Sequence, residues 1–301
     1  MKKKSFILLF ILSAAMLFSG CGGGVKDNSS RLSTESGEKN RSQAILIVSF
    51  GTSYNDSREK TIGAIEAEAA ETFPEYEVRR AFTSQIIIDK LKERDNLEID
   101  NVAEALDRAV ADGIETLVVQ PTHLMKGYEY TDLKQEIESY KDRFQRIVLG
   151  EPLLTDEEDI RTVAEVITSE TSGYDNGKTA ICFMGHGTEA DSNQVYEKLQ
   201  ETLHDMGKDS YYIGTVEAQP SLADVMAAVK DKGYSRVILE PLMVVAGDHA
   251  CNDMAGDGKD SWKSQLQESG YQVECILRGL GELDGIRDIY MDHIRDAIES
   301  L

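Results

Sequence analysis

Hydrophobic positions follow two alternating periodicities along most of the chain. Ala44–Ser49 is a nearly continuous apolar run, as expected of a strand buried on both faces. Glu59–Thr72 instead places Ile62, Ile65 and Ala69 at helical spacing. Strands are then predicted at Tyr76–Thr83, Thr116–Gln120 and Arg146–Leu149, and helices at Val102–Ala111, Tyr130–Phe144 and Ile160–Thr168. After a polar joint at Ser172–Gly177 the pattern starts again. It predicts strands at Thr179–Met184, Tyr212–Val216, Arg236–Leu239 and Val273–Leu277, with helices at Asn193–Met206, Leu222–Lys230 and Ile286–Glu299. This alternation predicts an α/β fold of parallel sheets joined by right-handed crossovers.

The restart is also a weak internal repeat. Ser49-Phe50-Gly51-Thr52 resembles Gly185-His186-Gly187-Thr188, each ending the first strand of its set. Gly113, Pro121 and Gly127 match Gly233, Pro241 and Gly247 at a constant offset of 120. Two similar halves follow, residues 44–172 and 173–301. A cleft is expected between their strand C-terminal ends, where open α/β sheets bind ligands.

The first residues stand apart from this pattern. Lys2, Lys3 and Lys4 precede the apolar stretch Phe6–Phe18, and Ser19 and Gly20 then lead to Cys21. Basic start, short apolar core and small residues predict a secretory signal over residues 1–20. Leu17-Phe18-Ser19-Gly20-Cys21 has the form of a lipoprotein cleavage box, with Cys21 as the lipidated residue. The apolar run is shorter than a membrane-spanning helix requires. Residues 21–43, rich in Gly, Ser, Asn and charge, read as a flexible tether. The expectation is an exported, membrane-anchored domain on the cell surface or the periplasmic face.

Composition narrows the function. The 301 residues are 41% hydrophobic and 29% charged, enough for a globular core. Acidic side chains number 54 and basic ones 32, a formal charge of −22. Removing residues 1–20 takes three lysines and no acid, which brings it to −25. Such a field repels phosphate backbones and argues against nucleic-acid binding. An anionic ligand would need local donors. Beyond Cys21, the cysteines Cys182, Cys251 and Cys275 form no C-x-x-C pair, and their odd number argues against a disulfide framework. Cys182 and Cys275, in predicted strands, read as buried free thiols.

Of five histidines, two fall at predicted strand ends of the second half. His186 lies in Met184-Gly185-His186-Gly187, and His249 in Gly247-Asp248-His249 beyond the Arg236–Leu239 strand. Glu217 follows the Tyr212–Val216 strand. Three consecutive strands thus each deliver an imidazole or carboxylate, a donor set suited to Co²⁺, Ni²⁺, Fe²⁺ or Zn²⁺. Glycines beside His186 let a large planar ligand approach the backbone. Each residue also has a plainer reading: His186 as a loop cap, Glu217 as a helix N-terminal acid. Asp253, four residues beyond His249, could orient its imidazole, and Asp248 could serve as a cap. His123, after Pro121-Thr122, suits either a ligand or a structural role. His204 and His293, among polar residues of predicted helices, read as solvated. No phosphate-binding G-x-x-x-x-G-K-[ST], no H-E-x-x-H and no G-x-S-x-G is present.

At these residues the sequence resembles the anaerobic sirohydrochlorin cobaltochelatases, class II tetrapyrrole chelatases related to ferrochelatase. The resemblance rests on Val48-Ser49-Phe50-Gly51-Thr52-Ser53-Tyr54, Arg80-Ala81-Phe82-Thr83-Ser84, Met184-Gly185-His186-Gly187 and Val216-Glu217. It continues through Pro241-Leu242-Met243-Val244-Val245-Ala246-Gly247-Asp248-His249, Asn252-Asp253-Met254, Asp260-Ser261-Trp262-Lys263 and Gly279-Leu280-Gly281, and spans roughly residues 44–300. It implies two flavodoxin-like halves around a tetrapyrrole cleft. The activity implied is insertion of Co²⁺, as substrate, into sirohydrochlorin without ATP or an organic cofactor, with Ni²⁺ or Fe²⁺ as alternative metals. It carries metal binding and catalysis onto His186, Glu217 and His249. Ser53, Arg80, Thr83, Ser84 and Gly187 are the expected substrate contacts, with Arg79 and Lys126 as further donors. The lipoprotein signal departs from the cytoplasmic members. It keeps open a surface tetrapyrrole-, haem- or metal-binding protein for uptake or storage. Expected partners are the tetrapyrrole and a membrane, through the lipid anchor; a homo-oligomer is left open.

Overall fold

The structure is a computed structural model that describes residues 42–301. The expected signal, Cys21 and the tether up to residue 41 lie outside the described residues. Among those described, no helix is long and apolar enough to cross a membrane.

The first half runs β1 (Gln43–Ser49), α1 (Asn55–Arg58), a π turn (Glu59–Gly63), α2 (Ala64–Thr72), β2 (Glu77–Phe82), α3 (Gln85–Asp95), α4 (Val102–Ala111), β3 (Thr116–Pro121), α5 (Tyr128–Ser139), β4 (Arg146–Leu149) and α6 (Glu157–Glu170). The second runs β5 (Thr179–Gly185), α7 (Val195–Asp205), β6 (Tyr211–Thr215), α8 (Leu222–Val229), β7 (Arg236–Pro241), a π turn (Ala250–Met254), α9 (Trp262–Glu268), β8 (Gln272–Cys275) and α10 (Asp284–Glu299). Helices α3 and α9 have no counterpart in the sequence reading. The β-branched run Ile86-Ile87-Ile88 in α3 hides a helical period, and Ile86 is exposed. The seven-residue α9 buries only Trp262 and Leu266, too few to show a period.

Both sheets are four-stranded and parallel, with orders β2-β1-β3-β4 and β6-β5-β7-β8. The repeat read from sequence is thus a repeat of topology. Val48 pairs with Pro121 in the first sheet and Met184 with Pro241 in the second. Gly113 and Gly233 take left-handed φ values of 78° and 81° at matching turns before β3 and β7, a conformation open to glycine at little cost.

One face of the first sheet packs Leu46, Val48, Leu117 and Val119 on Leu106 and Leu133 of α4 and α5. Its other face joins a core shared with the second sheet, in which Ile45, Ile47 and Val118 belong with Ile181, Phe183 and Ile238. The helices covering this shared core are exchanged. α6 follows the first sheet in sequence yet packs on α7, whereas α10, at the end of the second half, packs on α2 and β3. Residues 41–301 accordingly form one compact unit. Cys182, Cys251 and Cys275 are free; Cys182 is buried, but Cys275 is only half-buried, because it ends the edge strand β8.

His293 joins the exchanged helices and is not solvated as expected. Its Nδ1 lies 3.2 Å from the Glu151 carbonyl, and its Nε2 lies 3.2 Å from Asp159 Oδ1 on α6. Burial opposes its charged form, but the hydrogen bond and charge of Asp159 outweigh that and raise the imidazole pKa. A raised folded-state pKa adds stability that is complete below the unfolded value of about 6.5 and lost as pH rises through the folded value. Denaturant titrations across neutral pH are expected to show this decline in the wild type. In His293→Gln it should be absent, and an unchanged slope would dismiss the pairing.

Candidate functional site

β5 ends in Gly185, where a Cβ would lie 2.3 Å from the Tyr196 ring. The chain then turns through His186 and Gly187, the latter at φ 88°. Backbone bonds extend the β5–β6 pairing past the strand ends: Val216 N–H donates to Gly185 O at 3.0 Å, and Glu217 N–H to His186 O at 2.9 Å. Glu217 is therefore fixed beside His186, with Oε2 3.9 Å from His186 Nε2.

His249 arrives from the loop after β7, and the first half holds that loop. Ala246 N–H donates to Ser57 Oγ at 3.0 Å, and Tyr54 O–H donates to Asp248 Oδ1 at 3.3 Å. The π turn that follows brings Asp253 back, so that its Oδ2 lies 2.7 Å from His249 Nδ1. Single π turns are frequent at functional sites. The His186 and His249 rings meet edge to face, centroids 4.7 Å apart. His186 Nδ1 faces the Gly187 carbonyl at 2.9 Å. A carbonyl only accepts, so Nδ1 carries hydrogen and Nε2 keeps its lone pair when the ring is neutral. Asp253 does the same for His249.

One ligand atom each from His186, Glu217 and His249 lies within 4.8 Å of the others. Ligand bonds of about 2.1 Å to a first-row ion require donors somewhat closer. The half-exposed side chains of His186 and Glu217 can rotate to meet that need. The trio opens on a cleft of about 680 Å³ whose walls come from both halves, a size typical of small-molecule sites.

The two walls differ chemically although their backbones correspond. Thr83 N–H donates to Ser49 O, and Ser84 N–H to Phe50 O, the bonds that Val216 and Glu217 make in the second half. Phe50 thus stands where His186 stands, and Ser84 where Glu217 stands. At the offset of 120, Glu129 stands where His249 does. The donor trio belongs to the second half alone, and the exposed aromatic rings Phe50 and Tyr128 line the cleft from the first.

Of the five expected substrate contacts, Ser53 and Gly187 line this cleft, and Arg80, Thr83 and Ser84 do not. Arg80 lines a separate groove behind β2 and is bidentate on Glu66, with Nε to Oε1 at 2.6 Å. Arg79 pairs with Glu77 and Asp112, and Lys126 with Glu151. Among the described residues, no Lys or Arg lines the cleft. Hydroxyls and backbone amides are the donors there, among them Thr52, Ser53 and Thr188. His123, open to either role from sequence, is buried in the first-half wall, and burial pulls its pKa down to about 4.

Paired α/β halves around a cleft, with a metal-donor trio at three strand ends, define a two-half metal chelatase. The family model "Cobalt chelatase (CbiK)" matches residues 43–299, and the chain belongs to that family. It is 36% identical over 258 residues to the sirohydrochlorin cobaltochelatase of Salmonella typhimurium, covering 85% of this chain and 96% of the relative. It is 33% identical over 261 residues to sirohydrochlorin cobaltochelatase CbiKC of Nitratidesulfovibrio vulgaris, covering 86% and 92%. Among solved structures, SirB from Bacillus subtilis with Fe³⁺ shares the fold. Its TM-score is 0.61 at 16% identity, with 86% of this chain and 96% of that one covered.

Proposed function

We propose that this protein inserts Co²⁺ into sirohydrochlorin without ATP. The observation carrying the reading is the convergence of His186, Glu217 and His249 on one cleft of a cobalt chelatase family member. Two barriers oppose the reaction. The ion must shed water, and two pyrrole N–H protons must leave the free macrocycle. Two imidazoles and a carboxylate replace departing water ligands and can pass the ion to the ring nitrogens. Asp253 keeps the His249 Nε2 lone pair directed outward. Carboxylate and imidazole groups of the set accept the two protons in turn and pass them to solvent, help worth about 10²–10⁴ in rate.

The apolar rings Phe50 and Tyr128 suit the flat body of the macrocycle, and hydroxyls and amides suit its peripheral carboxylates. The same donors accept Ni²⁺ and Fe²⁺, so supply and not ligand type selects the metal. The test is an absorbance assay of the purified domain with sirohydrochlorin and each of Co²⁺, Ni²⁺ and Fe²⁺. Insertion with Co²⁺ is expected. No insertion with Co²⁺ would overturn the proposal.

A further inference from the structure

We propose that His123 is a binding residue for the metal-free macrocycle, its imidazole lone pair accepting a pyrrole N–H from the first-half wall. This rests on the sirohydrochlorin reading and adds to it a means of telling substrate from product.

His123 follows β3 and lines the cleft. Its residue exposure is 8%, yet neither ring nitrogen has a hydrogen-bond partner among the described residues. Buried polar atoms are almost always satisfied, so a pair of bare nitrogens on one cleft-lining ring calls for a partner from outside the chain. The nearest acid, Glu129, has Oε2 3.5 Å from Nε2, outside hydrogen-bond geometry. It still biases the ring hydrogen towards Nε2 and leaves Nδ1 as the unused acceptor.

The matching group on the guest is therefore a donor. A carboxylate would meet the Glu129 charge and no cation, since no Lys or Arg among the described residues lines the cleft. The free macrocycle carries two N–H donors at its centre, and the metallated product carries none. His123 stands on the first half and the metal trio on the second. A macrocycle between them can direct an N–H towards one wall while its lone pairs face the other. Metal insertion removes the donor, so the contact ends as product forms.

Affinities of both macrocycle forms, read by fluorescence or absorbance titration without added metal, test this. In His123→Leu, affinity for free sirohydrochlorin is expected to fall about tenfold, the worth of one good hydrogen bond. Affinity for cobalt-sirohydrochlorin should stay within about twofold. The melting temperature should rise by roughly 2 °C, because a buried unsatisfied ring is replaced by an apolar one. His123→Asn, which restores an acceptor, should recover part of the preference. Equal losses for both forms, no loss, or a lowered melting temperature in His123→Leu would each overturn the inference. If the wild type binds neither form, the sirohydrochlorin reading itself fails and this inference with it.

Discussion

Alanine at His249 or His186 is expected to lower Co²⁺ insertion by at least about 10²-fold, since under the proposed function each change removes a metal donor and a proton acceptor together. Both rings sit at strand ends, outside the shared core, and neither belongs to a buried cluster. Their removal should leave the melting temperature nearly unchanged, as for other substitutions away from packed features. The double variant should be little worse than either single one, because residues acting as a unit are not additive. Initial rates over a Co²⁺ titration, with thermal unfolding of the same samples, check this. Full turnover in both single variants would remove the assignment.

The second large effect is expected from a glycine. Gly187 has φ 88°, and a Cβ there would lie 2.8 Å from both the Ala218 amide nitrogen and its Cβ. Backbone strain costs about 1–3 kcal/mol, and forced repacking a similar about 1–3 kcal/mol. Gly187→Ala should thus lose about 3 kcal/mol and shift the melting temperature down by roughly 5–10 °C. It should also lose activity, because the shift falls between His186 and Glu217. Gly113→Ala is the control: φ is 78°, but nothing lies within 4 Å of the new Cβ. Its cost should be the strain alone, about 1 kcal/mol. Equal unfolding curves for the two variants would refute the role of close packing at Gly187.

Strands were legible because burial on both faces writes them as continuous apolar runs. β1, β4 and β5 end within a residue of their predicted limits. The trio was legible for a related reason: once strands are placed, their C-terminal ends are known. Asp253 was accessible through its spacing of four from His249. Direction was harder to read. Arg79 and Arg80 leave β2 on opposite faces, and only the fold reveals that Glu66 of α2 waits for Arg80. The partner of His293, Asp159, is 134 residues away and belongs to an exchanged helix. The isolation of His123 is a property of everything around it, so no local pattern encodes it.

The crossing of α6 and α10 has a mechanical consequence. Two tethered lobes can swing apart about a linker, but lobes that each wear the other's helix cannot part without unthreading their common interior. A wide opening of the cleft would therefore have to break the core that both halves share.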